Sequence, residues 1–262
     1  MSVVDAVAAI TPRPVPTRSA LQCCRIISHR GEHDNVRVME NTLAAFEQAR
    51  TAGVWGIECD IRWTADLVPV ICHDPNPGRV FGYSQALQDL SFAQLRDSVP
   101  DIPTLQEVID QFGGNTHLML EIKAEPWPQP EQQCARLRQL LQPLSAVDDY
   151  HFLALDPALF QVLDFVPPQG LLPVAELNAG KLSRAALAKN YAGLGGHYLL
   201  LHSRLKRRHD AAGQKLGVGF PASKNALFRE LNRGIEWIFS NDAVKLQGIL
   251  DQHLNKNTLP KR

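Results

Sequence analysis

From Arg25 onward, short runs of β-branched and apolar residues alternate with stretches of helical period. This is the pattern of βαβ units on a parallel sheet. Strands are predicted at Arg25–His29, Gly56–Arg62, Val68–His73, His117–Lys123, His151–Leu155, Gly170–Ala175, His197–His202, Leu216–Phe220 and Glu236–Ser240. Nine candidates are one too many for an eight-stranded barrel. Only a few residues, among them Thr64, Ala65 and Asp66, separate Arg62 from Val68. A parallel crossover needs about a dozen residues. The Val68–His73 run is therefore expected to turn back inside the loop after the second strand, bringing His73 and Asp74 to the face where the parallel strands end.

The helix signals agree. Asn41 or Thr42 can cap a helix running to about Arg50, with Gly53 beyond it. Thr104 and Glu107 form a capping box ahead of a helix through Phe112. Leu182–Tyr191 and Asn225–Asn232 read as further helices, the latter closed by Gly234. A doubly wound open sheet is the architectural rival, but no glycine-rich dinucleotide fingerprint follows the first strand. The expected fold class is α/β, a (β/α)8 TIM-type barrel with a short returning segment after strand two and a reduced insertion. Residues 1–24, with Pro12, Pro14 and Pro16, read as an extended arm, 25–250 as the barrel, and 251–262 as a polar tail.

A chain of 262 residues suits one such barrel. With 27 Lys and Arg against 27 Asp and Glu, no nucleic-acid partner is indicated. No apolar run approaches the roughly 20 residues of a membrane span. The amino terminus lacks the basic start of a signal peptide. Five cysteines, two of them adjacent, suit ordinary thiols in a reducing cytoplasm better than a disulfide framework.

Candidate chemistry gathers at the predicted strand ends. Residues two apart on a strand share a face, so Glu58 and Asp60 project together, away from Ile57 and Cys59. One barrel strand later, Glu121 and Lys123 repeat the arrangement. Carboxylates aimed into a barrel interior cost several kcal/mol unless a cation compensates them. Three hard-oxygen donors suit Mg²⁺ or Ca²⁺; the alternative is a buried ion-pair network with Lys123 and Arg62 as counter-charges. His29 ends strand one and His73 ends the returning segment. One base and one acid on either side of a phosphorus centre is what in-line displacement requires. Arg30 can hold phosphate oxygens in bidentate fashion, Lys123 as a point charge. Gly31 is expected to let the backbone approach a ligand.

These residues carry a resemblance. H-R-G at 29–31, E-N-T at 40–42, E-C-D-I-R-W-T at 58–64, Asp66, V-P-V-I-C-H-D at 68–74, I-P-T-L-Q-E-V at 102–108 and E-I-K at 121–123 occur in the order seen in the glycerophosphodiester phosphodiesterase family. The resemblance spans about residues 25–245 and thins beyond 150. It implies a TIM-type barrel with one divalent cation, Mg²⁺ or Ca²⁺, held by Glu58, Asp60 and Glu121. It further implies an acid–base pair of His29 and His73, phosphate contacts from Arg30 and Lys123, a supporting Glu40, and an Asp74 that orients His73. The implied reaction is hydrolysis of a small-molecule glycerophosphodiester to sn-glycerol 3-phosphate and an alcohol. A lysophospholipase D-like activity on a larger lipid phosphodiester, or a barrel that binds phosphodiesters without cleaving them, are the alternatives. The chain departs from the family's pattern late: W-T-V-N is replaced by F-P-A-S at 220–223, and I-T-D by F-S-N at 239–241. Phe220 keeps an aromatic surface for an apolar substrate face, or simply packs in the core. Both segments are expected on the active face but away from the acidic cluster.

Overall fold

The structure, a computed structural model, describes residues 10–256. Nine strands form, β1 (Arg25–His29), β2 (Gly56–Trp63), β3 (Pro69–Ile71), β4 (His117–Ile122), β5 (Tyr150–Ala154), β6 (Leu171–Ala175), β7 (Gly193–His197), β8 (Lys215–Gly219) and β9 (Trp237–Ser240). All except β3 join one parallel sheet in the order β1-β9-β8-β7-β6-β5-β4-β2, which closes by pairing β1 with β2. The fold is a (β/α)8 barrel, as expected.

Strand β2 is long because it does two jobs. Its amino half pairs with β1, and its last residues, Ile61–Trp63, pair with β3 running antiparallel. The predicted reversal is therefore present. The far side of β3 is pinned as well: the Ile71 amide donates to the carbonyl of Pro103 at 2.8 Å. Residues 78–102 then supply short helices around a small core of their own, which includes Val70, Cys72, Leu87, Leu90, Leu95 and Val99. That core clamps the segment carrying His73.

Alternation sorts the side chains. Ile57, Cys59 and Ile61 of β2 face the outer helical layer with Leu118, Leu120 and Ile122 of β4. Ile27, Met119, Leu153, Leu172, Trp237 and Phe239 fill the barrel interior. Towards the amino-terminal end, Trp55 stacks on His117 with centroids 4.2 Å apart. His117 Nε2 and His151 Nδ1 are hydrogen-bonded at 2.8 Å. Apolar and aromatic packing thus occupies the lower barrel, and the polar cluster is left to the upper end.

Four boundaries differ from the sequence reading. The seventh strand is Gly193–His197, not His197–His202. The run Tyr198–Leu201 looks more strand-like than G-L-G-G-H, but it forms the turn after β7, with Tyr198 and Leu201 buried and Leu199 exposed. The glycines hold the strand because the sheet is crowded there: a Cβ on Gly193 would lie 1.7 Å from the Lys215 carbonyl oxygen. The arm is not extended throughout. Arg18–Cys23 is a helix capped by Thr17, and its Leu21 is fully buried; residues 1–9 of the expected arm lie outside the described residues. At the other end the helix Ala243–Lys256 runs into the expected tail, whose residues 257–262 also lie outside. Finally, the helix read as Leu182–Tyr191 is Ala179–Ala188. Asn190 takes a left-handed φ of 54°, which helical residues cannot share.

Candidate active site

The barrel register assembles the cluster. His29 pairs across the sheet with Glu58, and Asp60 with Glu121. Paired residues on neighbouring parallel strands share a face, so four chemically active side chains meet at the upper end of the interior. The oxygens of Glu58, Asp60 and Glu121 lie within 4.8 Å of one another. Glu58 and Asp60 are only 2 % and 1 % exposed, so water does little to screen their repulsion.

Counter-charges surround the trio unevenly. Lys123 Nζ lies 2.5 Å from Asp60 Oδ1 and is also paired with Glu121. Arg30 Nε approaches Asp60 Oδ2 at 3.3 Å. Asn41 donates to the same Oδ2 at 2.7 Å. Asp60 is buried, yet Lys123 and Arg30 hold its carboxyl below the usual range. For Glu58, burial and the charges of Asp60 and Glu121 push its carboxyl well above that range. Glu58 Oε1 has no hydrogen-bond partner. A divalent cation fits this place: three hard oxygen donors converge, and one buried oxygen lacks a partner. The ion-pair alternative is half present. Lys123 is a counter-charge, but Arg62 pairs instead with Glu125 at 2.5 Å and donates to the His73 carbonyl at 2.8 Å.

His29 donates Nδ1–H to Asn241 Oδ1 at 2.7 Å, leaving Nε2 3.8 Å from Glu58 Oε2. Burial, then the positive charge of Arg30, lower the His29 pKa to about 4. His73 donates Nδ1–H to Asp74 Oδ1 at 2.8 Å. Arg79 grips the other oxygen of Asp74 at 2.6 Å and Glu40 Oε1 at 2.6 Å. Glu40 in turn holds Arg30 at 2.9 Å. The chain His73–Asp74–Arg79–Glu40–Arg30 ties the loop after β1 to the segment after β3. Hydrogen bonds and charge from Arg79 outweigh burial and keep the Glu40 carboxyl ionised well below its ordinary range.

His29, Arg30, Glu58, His73, Glu121, Lys123 and Phe220 all line one cavity of about 560 Å³ at the carboxyl ends of the strands. Asp60 sits behind it, touching Lys123, Arg30 and Asn41. Phe220 is no core residue: it is 40 % exposed and meets His29 edge-on at 5.2 Å. Its φ of 73° is rare for an aromatic residue and marks a constrained position.

Two expectations need correction. Asn41 does not cap the helix Leu43–Thr51; Thr42 does, accepting from the Ala45 amide. Asn41 is left free to bind Asp60. Gly31 serves packing, since a Cβ there would lie 2.7 Å from the Ala45 Cβ. The F-P-A-S and F-S-N segments lie on the active face as expected, and Phe220 and Asn241 both touch His29. Sequence reasoning missed Arg79 and assigned Asn241 no contact. The available signals were a cation following His73-Asp74 and an amide directly after the last strand.

Residues 29–189 match the glycerophosphoryl diester phosphodiesterase family. The chain belongs to this family. Among curated relatives, mouse (Mus musculus) glycerophosphodiester phosphodiesterase 1 is 42 % identical over 131 residues, 42 % of this chain and 39 % of that protein. The chain thus spans about two fifths of the length of such relatives. The structure of an Oleispira antarctica phosphodiesterase in complex with sn-glycerol-3-phosphate superposes with a TM-score of 0.73 at 23 % identity, covering 88 % of this chain and 99 % of that one. A Thermotoga maritima glycerophosphodiester phosphodiesterase gives 0.73 at 19 %, covering 86 % and 98 %. This family member therefore shares the barrel with them across nearly their whole length.

Proposed function

We propose that the chain is a divalent-cation-dependent phosphodiesterase that hydrolyses glycerophosphodiesters to sn-glycerol 3-phosphate and an alcohol. The observation that carries this reading is a single cavity in which an acidic trio stands with two histidines, each oriented by its own partner. Family membership supports it, as does the product bound to the Oleispira antarctica neighbour.

Glu58, Asp60 and Glu121 are the residues to hold Mg²⁺ or Ca²⁺, which when bound offsets phosphate charge and polarises an oxygen ligand. Arg30 and Lys123 face the cavity and supply positive charge for the non-bridging phosphate oxygens. One histidine removes the nucleophile's proton and the other protonates the departing alkoxide oxygen. Asn241 and Asp74 fix the two rings by taking the Nδ1 protons, which presents Nε2 of each ring for proton transfer. Phe220 packs against an apolar face of the substrate. A barrel that only binds phosphodiesters has no evident need for two oriented imidazoles.

The test is a panel of glycerophosphodiesters (choline, ethanolamine, inositol and glycerol headgroups) followed by phosphorus NMR with Mg²⁺ or Ca²⁺ present. Cation-dependent release of sn-glycerol 3-phosphate is the expected result. Binding of the diesters with no cleavage under any cation would replace hydrolysis with the binding reading.

A further inference from the structure

The balance of charge over the whole chain hides an uneven distribution. Residues 177–212 hold seven Lys or Arg and one acid, Asp210, in a chain whose totals are 27 and 27. This stretch forms the helices that follow β6 and β7, Ala179–Ala188 and Ser203–Ala211, which are neighbours on the outside of the barrel. Leu182 and Ala186 of the first, and Leu205 and His209 of the second, are buried and fix which side of each helix points inward. Lys181 and Arg184 stand at i and i+3; Arg204, Arg207 and Arg208 stand at i, i+3 and i+4. Such spacings share one helix face, so the five exposed cations form two adjoining basic stripes. Asp210 is taken by Lys206 at 2.7 Å. None of the five meets a carboxylate among the described residues.

Helix stability does not account for this placement. The positive end of a helix dipole favours acids in the first turn and opposes cations there. Yet the helix after β6, the helix after β7 and the helix Lys224–Asn232 after β8 open with Lys181, Arg204 and Lys224 and with no acid. These first turns lie at the rim where the strands end. Beside them, two residues beyond β6 and β7, stand the exposed leucines Leu177 and Leu199, the former 94 % exposed. The acids on this arc are otherwise engaged: Asp156 accepts from the Ala158 amide, and Glu176 lines the cavity. Aliphatic side chains held in water next to a field of cations match an anionic lipid surface. The leucines enter the headgroup region while the cations meet its phosphates. Nucleic acid matches the cations alone, because contacts to its phosphates give the leucines no apolar partner.

We propose that the edge where the rim meets the outer faces of these two helices docks on an anionic lipid bilayer. Docked in this way, the molecule holds its cavity mouth beside the lipid surface. The inference is independent of the substrate and of the reaction, since it concerns side chains outside the acidic cluster and the histidine pair.

The experiment sediments the full chain with sucrose-loaded vesicles, either of phosphatidylcholine alone or of phosphatidylcholine and phosphatidylglycerol in equal parts. Binding to the anionic vesicles is expected to be at least about tenfold stronger than to the neutral ones, and to weaken as salt is raised. The double variant Arg207→Glu, Arg208→Glu is expected to lose at least about tenfold in vesicle affinity while melting as the parent does. Leu177→Asn is expected to lose about fivefold or more. Binding to neither kind of vesicle, or equally to both, would overturn the proposal, as would anionic binding that the arginine variant leaves unchanged. Binding that depends on the arginines but not on Leu177 would overturn the seating at the rim. Retention of a DNA duplex in place of vesicles, lost in the arginine variant, would assign the patch to nucleic acid instead.

Discussion

His29 and His73 reach the same cavity by different routes, and each is held at Nδ1 by a partner of different charge. Asn241 is neutral, whereas Asp74 is a carboxylate already paired with Arg79. On the proposed mechanism, removing either ring deletes one proton transfer; it removes little packing, since both side chains are partly exposed at the cavity wall. His29→Ala and His73→Ala are each expected to lower kcat by about 10²–10⁴-fold. Their thermal unfolding should stay within a few degrees of the parent. Steady-state kinetics beside a melting curve checks both, and a fully active variant would remove that histidine from the mechanism.

The elements that place these residues are constrained more tightly than their sequences advertise. In β7 there is no room for a side chain at Gly193, where backbone of β8 occupies the position of a Cβ. Gly193→Ala is expected to cost at least about 3 kcal/mol, at the upper end of ordinary overpacking, read from urea unfolding. The small core around β3 has a more local task. Leu95→Ala removes a fully buried side chain from it and should cost about 2–5 kcal/mol. It should also lower kcat, because the segment bearing His73 loses its clamp; an unaltered kcat would mean that β2 alone positions it.

The same contrast explains what was legible in the sequence. The β2 and β4 carboxylates could be read because strand alternation and strand spacing are local properties. So could the reversal at β3, which follows from the shortness of one connection. The β7 assignment failed because hydrophobicity favoured Tyr198–Leu201, while the deciding factor was steric crowding by a neighbouring strand. Arg79 and the Asn241 contact left only weak signals, for a related reason. Arg79 sits in a four-residue helix, Gly78–Phe81, too short to show a period, Asn241 lies in the turn after β9, and the pairing of Asn241 with His29 exists only because β9 closes against β1.

Across the molecule, polarity is graded along the barrel axis, and pH should reveal it. At the amino-terminal end His117 and His151 are buried against Trp55 and Trp237. Burial lowers the His117 pKa to about 4; burial and the neighbouring His117 lower that of His151 to about 3. Above the unfolded value of about 6.5 both are neutral in either state and pH has no effect through them. Below it the unfolded chain takes up protons that the folded chain refuses. Stability is therefore lost as pH falls from about 6.5 towards 4, by at most about 1.4 kcal/mol per pH unit per histidine. Urea unfolding between pH 7 and 5 should show this slope, and the double variant His117→Phe, His151→Phe should flatten it. An equal slope in the double variant would assign acid sensitivity to other groups.

The account turns on the upper end, where the buried carboxylates of Glu58 and Asp60 and the half-buried one of Glu121 offer oxygens within 4.8 Å of one another and Glu58 Oε1 has no hydrogen-bond partner. Its most direct test is a calorimetric titration of Mg²⁺ or Ca²⁺ into chelator-stripped protein, with Glu58→Gln and Asp60→Asn in parallel. One cation per chain should bind the parent, and neither variant should bind it with comparable affinity. Absence of binding to the parent, or undiminished binding to both variants, would contradict the assignment of these carboxylates as the metal site.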